Sequence, residues 1–156
     1  MVVAWFSAGI TSAMACKLAI EKYENVRVVF IETGNHHLDN ERFIKECSNW
    51  YGQEIEVIKS KKYDNVEDVI LTDKFINSPY GAACTTKLKK NVRRDFHNKY
   101  LPDHHVMGFE YEKREINRAE RFLKRNPETN PLYPLIDARL TKNECAAIVQ
   151  SKGIEL

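Results

Sequence analysis

The stretch "AWFSAGITSAMA", residues 4–15, decides how the rest of the chain is read. An apolar run ends at a hydroxyl-rich turn with one glycine, and an alanine-rich segment of helical character follows at once. The next β-rich run, Val26–Ile31, completes a strand-helix-strand unit. A crossover of helix length between two strands of one sheet requires parallel pairing and a right-handed connection. The alternation continues outward. Strands are expected at Val2–Phe6, Val26–Ile31, Glu54–Ile58 and His105–Phe109, and helices at Ser12–Tyr23, Asn40–Tyr51, Thr86–Tyr100 and, shorter, Val66–Leu71.

Beyond the fourth strand, Lys113–Lys124 reads as a helix with Ile116, Ala119 and Leu123 on one face. The proline-bearing stretch "NPETNPLYP", residues 126–134, breaks it and reads as a loop. A last helix spans Leu140–Lys152, capped by Thr141 with Glu144 three residues on and closed by Gly153. The fold class expected is therefore α/β: three layers, a mostly parallel twisted sheet with helices on both faces, Rossmann-like in outline. No internal repeat or low-complexity linker interrupts it, and 156 residues fit one domain over residues 1–156.

Composition narrows the class. With 43% hydrophobic and 29% charged residues the chain is of ordinary globular type. A formal net charge of +2 does not by itself argue for nucleic acid. Val2–Phe6 has no basic region before it and leads into a turn, so no signal peptide is expected, and no apolar run is long enough to cross a bilayer. Cys16, Cys47, Cys84 and Cys145 are scattered without a CxxC pair. A reduced, cytoplasmic chain is the expectation, with neither a disulfide framework nor a closed zinc site.

Ligands of open α/β sheets sit at the carboxyl ends of strands, where helix starts face the crevice. The turn Ser7-Ala8-Gly9-Ile10-Thr11-Ser12 lies at such a place. Gly9 permits close backbone approach, while Ser7, Thr11 and Ser12 add hydroxyls to the N–H groups of the helix start. The residues alone leave two readings open, a phosphate cradle and a plain helix cap. Neither GxxxxGK[ST] nor GxGxxG is present.

Other clusters carry similar pairs of readings. Thr33 and Gly34 follow the second strand as a turn or as part of the crevice. His36 and His37 read as a surface loop, because neighbours on extended chain point apart and no ligand trio completes a metal site. "KLKKNVRR", residues 87–94, puts Lys87, Lys90 and Arg94 on one side of a helix and Leu88, Val92 and Phe96 on another. Lys87, nearest the helix start, is the one directed to the crevice. Arg114, Arg118, Arg121 and Arg125 form a guanidinium stripe that either grips an anion or pairs with Glu110, Glu112 and Glu115. Arg121 and Arg125 are expected to face solvent. Cys84, beside Thr85, Thr86 and Lys87, is either a reactive thiol or a small buried one. The two basic helices also admit a nucleic-acid-binding module as a further reading.

Four blocks, in order, resemble the phosphoadenosine phosphosulfate reductase family of the adenine nucleotide alpha-hydrolase, or PP-loop ATP pyrophosphatase, group. The opening turn is similar to that group's Ser-Gly-Gly-x-x-Ser pyrophosphate loop, with Ala8 in place of the first glycine. "FIETGNHH", residues 30–37, is similar to its second strand followed by Thr-Gly. "GAACTTKLKK", residues 81–90, resembles its cysteine-containing basic segment, and "GFEYEKREINRAERF", residues 108–122, its region of glycine followed by glutamate and arginine.

The resemblance implies an adenine nucleotide, ATP or phosphoadenosine phosphosulfate, as ligand. It implies Mg²⁺ where the chemistry is that of the pyrophosphatases. Ser7 to Ser12 would hold phosphates, the backbone of Phe30 and Ile31 would recognise adenine, and Thr33, Gly34 and Gly108 would line the nucleotide. Arg118 would contact its anion, with Lys87, Arg114 and Cys84 as the groups nearest the chemistry. Some relatives bind an iron-sulfur cluster through cysteines here and in a later CxxC, and the cysteine pattern argues against one in this chain. The chain ends at "KGIEL", residues 152–156, where a cysteine-bearing tail would follow in longer relatives. The expectation is a nucleophile from Cys84, a second polypeptide or a thiol donor. A non-catalytic nucleotide sensor and a homodimer stay open.

Overall fold

The computed structural model describes every residue except His36, Phe75, Ile76, Pro79 and Tyr80, and for Asn77, Ser78 and Gly81 the backbone alone. In chain order the elements are β1 (Val2–Phe6), α1 (Ile10–Lys22), β2 (Val26–Glu32), α2 (Asp39–Tyr51), β3 (Glu56–Lys59), α3 (Val66–Asp73), β4 (Asn77–Ser78) and β5 (Gly81–Ala82). Then come α4 (Ala83–Thr85), a π-helical segment (Thr86–Lys90), α5 (Asn91–Tyr100), β6 (His104–Val106) and α6 (Lys113–Arg125). A 3₁₀ turn (Pro127–Thr129), β7 (Pro131–Leu132), α7 (Pro134–Asp137) and α8 (Lys142–Ser151) complete the chain.

The five-stranded sheet has the order β3-β2-β1-β6-β7, and β4 and β5 form a separate antiparallel pair. β1 pairs in parallel with β2 on one side, Val2 opposite Val26 and Phe6 opposite Phe30, and with β6 on the other, Ala4 opposite Val106. All five residues of β1 are buried, as a central parallel strand covered on both faces requires. The strand order reverses at β1, so the crevice of this doubly wound sheet opens at the carboxyl ends of β1 and β6.

The expected α/β class holds, with shifted boundaries. The stretch assigned to a loop contains β7, which pairs in parallel with β6 through His105 opposite Pro131 and Val106 opposite Leu132. Pro131 is tolerated because an edge strand needs no second row of N–H donors. The fourth expected strand is cut short: β6 ends at Val106, and beyond it Met107 donates its N–H to the Leu132 carbonyl of β7 at 3.0 Å. The long helix expected over Thr86–Tyr100 begins as a π segment, a local widening of the helical turn.

By contact density the chain divides into two compact units: residues 1–30, 39–56 and 102–156, and residues 31–38 and 57–101. In the first, α1 turns a face of Ala13, Met14, Ala15, Cys16 and Ala19 inward, its small side chains admitting close approach. Phe6, Phe30, Phe43 and Tyr51 pack around it, and the Tyr51 hydroxyl donates to the Ala13 carbonyl at 2.7 Å. The buried Trp5 indole donates to His105 Nδ1 at 3.0 Å across neighbouring strands, which satisfies both polar groups inside the core. α8 packs on α1, and its start carries the expected capping box: Thr141 N–H donates to Glu144 at 2.8 Å and Glu144 N–H to Thr141 at 3.4 Å.

The second unit has a smaller core of Tyr63, Val69, Ala83 and Leu88, with Val66 and Cys84 packed on it. Leu88, Val92 and Phe96 are all buried, as their spacing on one face predicts.

Candidate functional site

The turn after β1 is built around one hydroxyl. Ser12, only 3% exposed, donates through Oγ to the Gly9 carbonyl at 2.8 Å. The same oxygen takes the Ser7 N–H at 3.0 Å and the Gly9 N–H at 3.4 Å, and lies 3.0 Å from the Ser7 hydroxyl. The serine thereby ties the end of the strand to the first turn of the helix. Sequence reasoning grouped Ser12 with Ser7 and Thr11 as hydroxyls added to the helix-start N–H groups, and the structure buries Ser12 as the hub that shapes the loop.

The backbone freedom that the sequence places at Gly9 is used one residue earlier. Ala8 has φ 56°, in the left-handed region, whereas Gly9 is extended at φ −118°. Left-handed alanine costs about 1–2 kcal/mol. Such strain persists where surrounding structure over-determines it, a common feature of ligand-binding turns. Gly9 as N-cap offers no side chain, and no acidic residue stands in the first turn of α1. The N–H groups of Ile10, Thr11 and Ser12 begin the helix with no carbonyl behind them. Together with the helix dipole they make a cationic end without a built-in counter-charge.

Gly108 supports this loop from the neighbouring strand. A Cβ at Gly108 would lie 2.7 Å from Ser12 Cα, 2.9 Å from Ser12 N and 3.1 Å from the Thr11 carbonyl carbon. All three are backbone atoms, so only glycine lets the segment leaving β6 pass this close. Phe109 stacks on Tyr133 at 5.6 Å, and the Tyr133 hydroxyl donates to the Ala119 carbonyl of α6 at 2.9 Å. Arg118 lies 4.8 Å over the Phe109 ring and pairs with Glu115 at 3.3 Å, while its side chain stays 60% exposed. Arg114 is exposed and donates its backbone N–H to Glu112, the N-cap of α6. Arg121 and Arg125 are exposed, as their distance from the strand suggests.

Phe30 is buried in the core of the first unit, and the remaining expected site residues belong to the second. Gly34 sits at φ 77°, and its N–H donates to Glu32 at 2.6 Å. A Cβ there would lie 2.3 Å from the Asp64 carbonyl oxygen and 2.8 Å from Asn65 Cβ. Next to it, Asn35 accepts the Val66 N–H at 2.8 Å and donates to Glu67 at 3.0 Å. Asn65 caps α3 by accepting the Asp68 N–H at 2.8 Å. Sequence reasoning missed Asn35 and Asn65, whose signal was the asparagine beside Thr-Gly and the asparagine opening an acidic helix turn. Ile31 and Thr33 are half-buried in the same unit, His37 is exposed, and His36 lies outside the described residues.

Cys84 is half-buried and is the most accessible of the four free thiols. Burial pushes the Cys47 thiol up to about 12 and that of Cys145 to about 11, and Cys16, fully enclosed, is raised as well. Those three are held as neutral thiols. Lys87, in the π segment, has its ammonium 3.8 Å from Asp73 and 6.0 Å above the Tyr63 ring. No group of three metal-ligating side chains lies together among the described residues. No helix among the described residues is long and apolar enough to cross a membrane.

Comparison with known proteins agrees with this architecture. The family model described as phosphoadenosine phosphosulfate reductase domain matches residues 1–142. Thirty-five chains of solved structures match. One is a phosphoadenylyl-sulfate reductase from Candida auris, solved as a phosphate complex, with a TM-score of 0.67 and 10% identity over 99% of this chain and 73% of that one. At that identity the likeness is one of fold. No curated protein sequence matches.

Proposed function

Because the chain belongs to the phosphoadenosine phosphosulfate reductase domain family, we propose that it binds a sulfonucleotide through the Ser7–Ser12 loop and acts at its phosphosulfate group. The observation that carries this reading is the start of α1. Its cap residue has no side chain, its one buried hydroxyl is spent on shaping the loop, and its first turn holds no carboxylate. The backbone N–H groups of Ile10 and Thr11 at the helix start are then the donors for a phosphate, with the hydroxyls of Ser7 and Thr11 beside them. Gly108 keeps the loop in register, and the backbone of Phe30, opposite Phe6 at the carboxyl end of β1, is proposed for adenine.

Arg114 and Arg118 supply guanidinium groups suited to a bidentate grip on a sulfate or phosphate. Arg118 is pre-positioned by the Phe109 ring and Glu115, which reduces the ordering needed on binding. Catalysis by such a site rests on positioning and on stabilising charge as it moves to the leaving oxygen.

Titration calorimetry with phosphoadenosine phosphosulfate, with ATP and with AMP tests the binding. A preference for the sulfonucleotide is expected, lost in R114A/R118A. Incubation with a dithiol and phosphoadenosine phosphosulfate tests turnover, read as sulfite and the bisphosphate nucleotide. Binding without product would reduce the protein to a nucleotide-binding module. Release of pyrophosphate from ATP with Mg²⁺ would reassign it to the pyrophosphatase chemistry, and no nucleotide binding would overturn the reading.

A further inference from the structure

The charge of the chain is unevenly divided. Residues 31–38 and 57–101 hold ten Lys and Arg against six Asp and Glu, a net of +4, in a chain whose total is +2. Within this unit, the end of β3 and the segment after it face α5 across a cleft of about 380 Å³. Lys59, Lys61, Lys62, Lys87, Arg94 and Lys99 line it, against Asp95 as the one carboxylate. Among the described residues, Lys87 alone of these cations has a carboxylate partner, Asp73. The remainder are exposed cations lining the same cleft.

Aromatic rings are interleaved with them. Tyr63 is buried in the cleft wall with the Lys62 ammonium 5.3 Å from its centroid. Phe96 and Tyr100 pack at 4.6 Å, and Lys99 lies 4.7 Å over Tyr100, which is 40% exposed. A groove of cations that tracks a backbone, with a part-exposed ring for a base to stack on, has the chemistry of a single-stranded nucleic-acid site.

We infer that the cleft between the β3–α3 segment and α5 binds a short stretch of single-stranded nucleic acid, with Lys61, Lys62, Arg94 and Lys99 on phosphates and Tyr100 under a base. This inference is independent of the nucleotide reading of the Ser7–Ser12 loop.

Fluorescence anisotropy of labelled twelve-nucleotide oligo(dT) and oligo(rU) with the full chain, over a salt series, tests it. With four phosphate contacts, the log–log slope against salt is expected near about −3. K62E/R94E should weaken binding at least about tenfold and flatten the slope by about 1.4. Y100A should weaken it about five- to a hundredfold and leave the slope unchanged. All these positions are on the surface of the cleft, and a thermal melt of each variant confirms folding. K62Q/R94Q, without charge reversal, should give an intermediate loss. Inorganic polyphosphate is the competing ligand: equal affinity for it, with Y100A without effect, would overturn the assignment. So would undetectable binding of either oligonucleotide, or binding that K62E/R94E leaves unchanged. Loss of calorimetric sulfonucleotide binding in G108A with oligonucleotide binding retained would separate the two sites.

Discussion

Two helix starts in this molecule are buttressed by a glycine and yet are chemically opposite. At α3, Gly34 packs on Asp64 and Asn65, and the exposed donors are consumed locally: Asn35 takes the Val66 N–H and Asn65 the Asp68 N–H. Glu67 and Asp68 add carboxylates to that first turn, so the positive end of the helix dipole is neutralised from within. At α1, Gly108 packs on Ser12, the cap is a bare glycine, and no carboxylate stands in the first turn. One start is a finished structural junction. The other carries no internal carboxylate, and its single buried hydroxyl organises the turn.

The largest effect expected from breaking this contrast is at Gly108. The Gly108→Ala methyl would press on backbone atoms of Ser12 that cannot step aside. We expect about 1–3 kcal/mol of lost stability in thermal melts, and sulfonucleotide affinity down by about two orders of magnitude in calorimetry. Wild-type affinity in a stably folded G108A would show that the loop geometry is not what binds.

A smaller effect separates the two starts directly. Ser12→Ala removes the hub of the α1 turn and should cost about 1–2 kcal/mol and weaken nucleotide binding about tenfold or more. Asn65→Ala removes the α3 cap and should cost about 1 kcal/mol with nucleotide affinity unchanged. Equal affinity losses in both variants would erase the distinction.

The smallest change is a gain. Ala8→Gly relieves a left-handed alanine, and after the added freedom of the unfolded chain a net stabilisation of about 0.5–1 kcal/mol is expected. Nucleotide affinity should stay within about twofold, since the donors proposed for the phosphate are backbone N–H groups. Destabilisation would mean that the Ala8 methyl makes a packing contribution larger than the strain.

Much of the architecture was legible without coordinates because it follows from local pattern. Five consecutive apolar residues in β1, the small-residue face of α1, the Thr141–Glu144 capping box and the buried spacing of Leu88, Val92 and Phe96 each bear on one element alone. β7 was not legible, since two residues headed by a proline have no periodicity. They form a strand only because β6 presents a free edge to them. The opening turn divides in the same way. That residues 7–12 end a strand, hold hydroxyls and start a helix is written in the order of their side chains. That Gly108 must have no side chain depends on β6 lying beside β1, while the inward turn of Ser12 and the left-handed conformation of Ala8 in place of Gly9 follow from how the folded turn closes on itself. Hydrogen-bond direction and steric clearance are properties of neighbours in space, and only the assembled sheet brings those neighbours together.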